Sequence, residues 1–228
     1  MENLDPRRAV KPSLSEIFKT APSWIIGLIA AMAGIVVLSN VLVSYPVQTK
    51  LGAIDLAEVL TWGAFTYPIA FLVTDLANRR FGPQTARKVV LVGFAIAVIF
   101  SIVAATPRIA IASGTAFLLA QFLDVGVFDR LRAKAWWIAP VVSSIIGSAL
   151  DTILFFGIAF APVFNVLDFG GEDGSLGFPV PLLSVGGDVP LWVSLAAGDF
   201  LVKILIGLAM LIPYGAVLTG LIKPSEAY

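Results

Sequence analysis

Long apolar runs separated by short polar segments dominate the sequence. An α-helix needs about 20 predominantly apolar residues to cross a bilayer. Six runs of roughly this length occur, at residues 24–43, 59–77, 89–105, 109–128, 137–163 and 191–211. The pattern predicts an all-α, polytopic integral membrane protein with six transmembrane helices.

The polar segments define the predicted domain organisation. Residues 1–23 form an N-terminal tail, residues 24–222 a single six-helix transmembrane domain, and residues 223–228 a C-terminal tail. The N-terminus lacks the apolar core and cleavage site of a signal peptide, so the first run is predicted to be a retained span. Residues 164–190 are rich in Gly, Pro and Asp, which predicts an external loop that folds back or covers an opening.

Lysine and arginine alternate between the two predicted sides of the membrane. Cytoplasmic loops of membrane proteins carry the excess of these residues. One side carries Arg7, Arg8, Lys11, Lys19, Arg79, Arg80, Arg87, Lys88, Arg130, Arg132, Lys134 and Lys223, and the other only Lys50 and Arg108. Both termini are therefore predicted to be cytoplasmic.

The amino-acid composition excludes several kinds of catalytic and metal-binding site. The chain is 58% hydrophobic and 13% charged, against about 25% charged for a soluble domain. It has no Cys and no His, which excludes disulfides, thiol nucleophiles, imidazole bases and the usual zinc ligands. The sequence also lacks HExxH, GxSxG, Walker A and CxxC motifs. We therefore expect no enzyme activity, no metal and no cofactor, and a net charge of zero gives no indication of a nucleic-acid partner.

Five ionisable residues lie within or at the rim of the apolar runs: Asp75, Asp124, Asp151, Asp199 and Lys203. A charge at the bilayer centre costs about 2.5–3.5 kcal/mol on insertion scales, and such residues usually face a cavity or a partner. Four carboxylates on four different helices are therefore predicted to converge on one polar chamber.

The second run presents an acid, an amide and two aromatic side chains on one helical face, with Tyr67, Phe71, Asp75 and Asn78 at spacings of three and four residues. Such a face suits a site that stacks on a ligand and hydrogen-bonds to it. Alternatively, Asp75 forms an ion pair with Arg79 one turn further on.

The fourth run repeats this pattern with Phe117, Gln121, Asp124 and Phe128. A cavity role and hydrogen bonding between helices are both compatible with Gln121 and Asp124.

The fifth and sixth runs carry the remaining acids. Asp151 follows a stripe that includes Ser144, which favours close helix packing, and it has no cation within one turn of its own helix. Asp199 and Lys203 are four residues apart. They form either a self-contained ion pair or a charge relay in which Lys203 is the counter-ion of another Asp.

Four separated segments resemble the bacterial queuosine precursor transporter family. They are TWGAFTYPIAFLVTDLANRRFG (61–82), IASGTAFLLAQFLDVGVFDRLR (111–132), WWIAPVVSSIIGSALDTILFFGIAF (136–160) and GDFLVKILIGLAMLIPYG (198–215). The family pattern is matched at Asp75, Gln121, Asp124, Ser144, Asp151, Asp199 and Lys203. The resemblance implies a multi-pass importer of the bacterial inner membrane that takes up 7-cyano- and 7-aminomethyl-7-deazaguanine for salvage into the queuosine of transfer RNA.

A deazaguanine suits the polar residues of these runs. A carboxylate can accept both its N1–H and its exocyclic amine, an amide can pair with its carbonyl, and aromatic rings can stack on it. We expect two of Asp75, Asp124 and Asp151 to face the base. The predicted substrate-binding set is Tyr67, Phe71, Asp75, Asn78, Phe117, Gln121, Asp124, Ser144 and Asp151, and the predicted gating or charge-relay set is Arg79, Asp199 and Lys203.

Two other functions remain open at the level of sequence. The chain could be a substrate-capture subunit that needs a separate ATP-driven module, or a membrane binding module without transport, in which the buried acids pair internally. The energy source is also open between proton-coupled and passive uptake. The expected partners are a small-molecule base and membrane lipid, not nucleic acid, and the small residues of the fifth run serve packing within one chain or in a homo-oligomer.

Overall fold

The computed structural model describes residues 23–52, 54–58, 60–101, 106–168 and 175–221. Apart from Ser23, both predicted tails lie outside the described residues, and with them Arg7, Arg8, Lys11, Lys19 and Lys223. Residues 169–174 of the predicted loop and residues 102–105 of the predicted third span also lie outside them.

The described residues form a bundle of seven helices. They are α1 (Ser23–Leu42), α2 (Gly63–Phe81), α3 (Pro83–Ser101), α4 (Pro107–Leu131), α5 (Ile138–Phe160), α6 (Leu191–Ala209) and α7 (Leu211–Leu221). Short 3₁₀ segments at Leu56–Glu58, Pro162–Asp168 and Leu182–Ser184 lie in the connections. Two antiparallel hairpins are also found there, β1 (Lys50–Leu51) with β2 (Ile54–Asp55) and β3 (Pro179–Pro181) with β4 (Asp188–Pro190).

Four segments of the described chain are long and apolar enough to cross a membrane: Ser23–Leu42, Pro107–Leu131, Ile138–Phe160 and Leu191–Thr219. They confirm the class, a helical multi-pass membrane protein. The other two long helices, α2 and α3, have 19 residues each and carry charged residues where they adjoin, with Arg79 and Arg80 at the end of α2 and Arg87 and Lys88 near the start of α3. The number of spans therefore stays a prediction.

Helix α2 differs from the predicted second span at both ends. It begins at Gly63 because the preceding residues form a 3₁₀ turn and a β-bridge between Pro46 and Thr61. It continues to Phe81, beyond the arginines taken from the sequence as its boundary. It ends where Gly82 adopts a φ of 81°, a conformation that glycine adopts without steric cost.

The predicted sixth span is broken into α6 and α7. Helix α6 ends at Ala209 and α7 begins at Leu211. Pro213 lacks a backbone N–H and cannot donate to the carbonyl four residues earlier, so a continuous helix loses a hydrogen bond at this point. The break therefore falls just before Pro213, as expected of a proline within a helix.

The connections pack against one end of the bundle. Leu56 and Leu183 contact a buried cluster of Val47, Leu60 and Ala64, and the backbone N–H of Leu183 donates to Ser194 Oγ at 3.0 Å. The described part of the loop therefore folds back over the bundle.

Arg108 ties together the helix ends beside that loop. Its side chain is 2% exposed, and its guanidinium donates to the carbonyls of Ile158 and Ala161 and to the side chains of Asn165 and Asp168. This buried cation joins the start of α4 to the end of α5 and to the following 3₁₀ segment.

Candidate functional site

One buried cation bridges two helices in the middle of the bundle. Lys203 Nζ of α6 lies 2.8 Å from Asp151 Oδ2 of α5 and 2.5 Å from Asp199 Oδ2 on its own helix. Tyr67 of α2 donates its hydroxyl to Asp151 Oδ1 at 2.6 Å, and Thr152 donates to Asp199 Oδ2 at 2.9 Å. We call these five residues the charge network.

The three charged residues of the charge network are almost completely buried. Lys203 is 4% exposed, Asp151 2% and Asp199 5%. Removing one partner of a buried ion pair is strongly destabilising because the other charge is left uncompensated. Lys203 makes both contacts proposed from the sequence, since it pairs with Asp199 and is also the counter-ion of Asp151.

A second buried group lies between α2 and α4 and lacks such a cation. The carboxyl groups of Asp75 and Asp124 lie close enough to interact with each other and with the hydroxyl of Ser143 on α5. Yet Asp75 Oδ1 and both carboxylate oxygens of Asp124 receive no hydrogen bond from the described residues. We call Asp75, Asp124, Asn78 and Gln121 the unpartnered cluster.

Each of the two amide side chains in this cluster has one polar atom that is hydrogen-bonded and one that is not. Asn78 Nδ2 donates to the carbonyl of Val125 at 3.1 Å, which leaves Asn78 Oδ1 unpaired. The Gln121 amide meets the Thr74 hydroxyl at 2.5 Å, which leaves Gln121 Nε2 unpaired. Oxygen and nitrogen of an amide are assigned from their contacts, but in either orientation one polar end of Gln121 has no partner.

Arg79 does not neutralise this group through a salt bridge. Its three guanidinium nitrogens donate to the Tyr214 hydroxyl at 2.9 Å, the Arg132 carbonyl at 2.8 Å and the Trp136 carbonyl at 3.3 Å. Among the described ion pairs none joins it to Asp75, and its influence on that carboxyl group acts over a longer range. The structure therefore does not show the ion pair between Asp75 and Arg79 that was considered from the sequence. Arg79 instead joins α2 to the α4–α5 connection and to α7.

Aromatic rings pack around Tyr67 of the charge network. The Tyr67 ring meets Phe71 edge-on at 6.2 Å between centroids and Phe117 at 6.1 Å. Phe117 is stacked on Phe94 of α3 at 5.5 Å, with 14° between the ring planes. One face of Phe117 is therefore already covered by Phe94, a residue that the sequence did not single out.

Two narrow clefts with carboxyl groups in their walls meet at Lys203, which lines both of them. The first, of about 20 Å³, is also lined by Phe71, Asp75, Ser144 and Ser148. The second, of about 30 Å³, is lined by Tyr67, Asp151, Asp199 and polar residues of α1 and α4. Each has room for about one water molecule, so this conformation is closed around the polar residues.

The structure brings the predicted acids together as two pairs rather than one chamber. Asp151 joins Asp199 through Lys203, while Asp75 joins Asp124. Sequence reasoning missed several hydroxyl groups that contact the predicted site residues, namely Thr74, Ser143, Thr152 and Tyr214. Thr74 and Thr152 have a signal in the sequence, since each lies directly beside an acid, and Ser143 directly precedes Ser144, whereas Tyr214 has no such neighbour.

Comparisons with known proteins place the chain. A family described as "Putative vitamin uptake transporter" matches residues 61–106 and 101–217. A "Probable queuosine precursor transporter" of Haemophilus influenzae is 36% identical over 217 residues, which cover 83% of this chain and 84% of that protein. The chain belongs to the queuosine precursor transporter family. A "Queuosine precursor transporter" of Escherichia coli is 33% identical over 207 residues, covering 81% and 82% of the two chains.

Membership in this family confirms the resemblance seen in the sequence. A third relative, a "Probable queuosine precursor transporter" of Bacillus subtilis, is 27% identical over 135 residues, or 46% of this chain and 58% of that protein. The relatives are named as transporters and not as enzymes, which supports the expectation that this chain is not an enzyme. No solved structure matches the chain.

Proposed function

We propose that the chain imports queuosine precursors, 7-cyano-7-deazaguanine and 7-aminomethyl-7-deazaguanine, across the bacterial inner membrane for transfer RNA salvage. The names of the relatives support this substrate class, and the apolar helices support a membrane location. The proposal includes a single domain at residues 24–222 with six spans and two cytoplasmic termini.

The assignment of the binding site rests on the unpartnered cluster. Buried polar groups normally have hydrogen-bond partners, and each exception calls for an explanation. The free carboxylate oxygens of Asp75 and Asp124 can accept the N1–H and exocyclic amine of a guanine-like base, and the free end of Gln121 can meet its carbonyl. A ligand of this kind would satisfy atoms that the protein leaves unsatisfied.

The charge network suits gating better than base binding. Both oxygens of Asp151 are occupied, by Tyr67 and by Lys203. We therefore assign the two base-facing carboxylates to Asp75 and Asp124. Asp151 moves from the predicted binding set to a gating set with Asp199 and Lys203.

The remaining predicted residues form the walls of the site. Phe71 lies one turn from Asp75 and lines the same cleft as Ser144, so its ring can stack on a base held by Asp75. Tyr67 supports Phe71 from the side, and Phe117 contacts Tyr67 in turn. A cleft of about 20 Å³ admits no base, so binding requires movement of α6, which carries Lys203, away from α2.

Binding titrations with the purified chain test the site. We expect both deazaguanines to bind, and to bind more tightly than guanine. The double variant Asp75→Ala/Asp124→Ala should lose binding. Asp129→Asn is the matched control, because Asp129 is a half-exposed carboxylate of α4 paired with Arg132. Unchanged affinity in the double variant would overturn the assignment.

Uptake measurements separate transport from its alternatives. The purified chain in sealed liposomes, with no ATPase present, should carry a labelled deazaguanine into the lumen. Binding without uptake would favour a capture subunit that needs an ATP-driven module. Neither binding nor uptake would favour a membrane module in which the acids serve only the fold.

A further inference from the structure

The charge network contains more buried acids than buried cations. Asp151 and Asp199 both face Lys203 Nζ, at 2.8 and 2.5 Å, and the described ion pairs give neither acid a second cation. The other described hydrogen bonds to these carboxylates come from hydroxyl groups, that of Tyr67 to Asp151 and that of Thr152 to Asp199. With both acids ionised, the network carries one negative charge in excess, which one further cation can neutralise.

The three charged groups belong to two different helices. Lys203 and Asp199 lie four residues apart on α6 and therefore move together, whereas Asp151 lies on α5. The cleft that holds Asp75 is bounded by α2, α5 and α6, and its widening draws Lys203 away from Asp151 but not from Asp199. An uncompensated buried carboxylate is costly, so Asp151 needs another cation when the cleft is open.

One face of α2 connects Asp151 to the base site. Tyr67, Phe71 and Asp75 follow one another at intervals of four residues, so Tyr67 and Asp75 are about 12 Å apart along the helix axis. Tyr67 holds Asp151 Oδ1 through its hydroxyl at 2.6 Å. A base that stacks on Phe71 and pairs with Asp75 thus points its far end toward Asp151. In a 7-deazaguanine this far end is the five-membered ring with its 7-substituent, because the N1–H and the amine lie on the six-membered ring.

Lys203 shows where an ammonium group fits. Its Nζ lies 2.8 Å from Asp151 Oδ2 and 4.8 Å from the centroid of the Tyr67 ring, and a carboxylate and an aromatic face both attract a cation. The 7-aminomethyl group ends in the same primary ammonium as a lysine side chain, whereas the 7-cyano group is neutral and only accepts hydrogen bonds. The place that Lys203 leaves on opening therefore suits an aminomethyl group in charge and in donors.

We propose that Asp151 and the Tyr67 ring form a subsite for a cationic 7-substituent, in which the ammonium group of the ligand replaces that of Lys203. The inference rests on the proposed function and identifies 7-aminomethyl-7-deazaguanine as the preferred precursor. In the empty, closed state Lys203 serves both acids, and in the loaded state it serves Asp199 while the ligand serves Asp151. Release of the ligand returns Lys203 to Asp151, so the charge of the ligand is the only one that crosses. A neutral base leaves Asp151 without a cation and binds more weakly for that reason.

Binding titrations of the wild-type chain with three bases of similar size test the subsite. The 7-aminomethyl base should bind about tenfold more tightly than the 7-hydroxymethyl and 7-cyano bases, because it alone supplies a charged donor to Asp151. The hydroxymethyl base separates charge from shape, since it differs from the aminomethyl base only in a hydroxyl group in place of the ammonium. This comparison uses no variant and is independent of variant folding.

Asp151→Asn should remove the preference, so that the dissociation constants of the aminomethyl and hydroxymethyl bases become nearly equal. Asp199→Asn is the matched control, because it removes an acid of the same network but leaves Asp151 in place, and it should keep the preference while weakening both bases. Equal affinity of the wild-type chain for all three bases, or a preference that persists in Asp151→Asn, would overturn the subsite and leave the proposed function intact. Absence of binding of all three bases to the wild-type chain would instead overturn the proposed function.

Discussion

At the scale of single residues, acids that look alike in the sequence differ in their hydrogen-bond and ion-pair partners. Asp151 and Asp199 share Lys203 and receive hydroxyl donors, whereas Asp124 has no donor in the described structure. All are almost completely buried. The first pair therefore contributes to the fold while the Asp75–Asp124 pair is available to a ligand, and mutations should separate these roles.

Replacing Lys203 by Met should destabilise the protein. The change leaves Asp151 and Asp199 facing each other without a cation, and loss of one partner of a buried ion pair costs about 3–5 kcal/mol. Thermal unfolding in detergent measures the effect. Asp199→Asn is the control and should cost less, because Lys203 keeps its 2.8 Å contact with Asp151. Equal stability of Lys203→Met and the wild type would show that the network contributes little to the fold.

Replacing Asp75 by Asn should affect ligand binding and leave stability intact. The neutral amide removes a buried charge that has no salt bridge and can donate to the free oxygens of Asp124. We expect unchanged or higher thermal stability together with loss of deazaguanine binding. A variant that unfolds at clearly lower temperature would show that Asp75 is a structural residue.

The sequence predicted these acids, but not how they pair. It identified Lys203 as a possible counter-ion for another Asp, and α5 supplies that Asp. It could not decide between Arg79 and a cavity for Asp75, since hydrogen bonds from Arg79 to Arg132 and Trp136 depend on backbone carbonyls distant in the chain. Spacing along one helix carries no information about such partners.

At the scale of elements, Gly147 sets the distance between α2 and α5. A Cβ atom at this position would lie 2.7 Å from Cε1 of Phe71. The Phe71 ring is buried and is held by Tyr67, so it has little freedom to move aside. Small residues allow membrane helices to approach closely, and this contact also places Phe71 against the cleft.

Gly147→Ala should therefore weaken both stability and binding. Overpacking of a tight contact costs about 1–3 kcal/mol, and a displaced Phe71 ring no longer lies correctly beside Asp75. Thermal unfolding and base titration measure the two effects. Gly157→Ala on the same helix is the matched control, because its Cβ would meet nothing within 4 Å. Equal effects of the two substitutions would contradict this role of Gly147.

Helix ends were harder to predict than helix positions. The apolar runs placed each long helix, but α2 continues through Arg79 and Arg80 because the first of these has partners within the protein. The hairpins at β1–β2 and β3–β4 had no signal at this scale, since each strand has only two or three residues. Periodicity cannot identify strands so short.

At the scale of the whole molecule, two arginines, the buried Arg108 and the half-buried Arg79, join elements at opposite ends of the bundle. Arg108 holds the start of α4 to the end of α5, and Arg79 holds the end of α2 to α7 and to the α4–α5 connection. Between them lie two small clefts that meet at Lys203. We propose that Lys203, which lines both clefts, controls an opening that alternates between the two sides of the membrane while the ends stay fixed.

The predicted orientation can be tested by labelling single cysteines, because the natural chain contains none. Three positions in the connections and one in the first turn of α3 suit the experiment: Lys50, Lys134 and Val185, and Gln84, all exposed. With six spans and cytoplasmic termini, a membrane-impermeant thiol reagent added to intact cells should label Lys50→Cys and Val185→Cys. Gln84→Cys and Lys134→Cys should react only after the membrane is opened.

Labelling at Lys50 and Gln84 tests whether α2 crosses the membrane, which hydropathy alone does not decide. They flank α2, whose charged residues keep it outside the group of four clearly apolar spans. Labelling of both positions from the same side would show that α2 does not cross the membrane. Labelling from opposite sides would establish α2 as a span. Asp75 and Arg79 would then be ionisable residues inside a membrane-crossing helix. The unpartnered cluster would then lie at membrane depth, where a site for a transported base has to be.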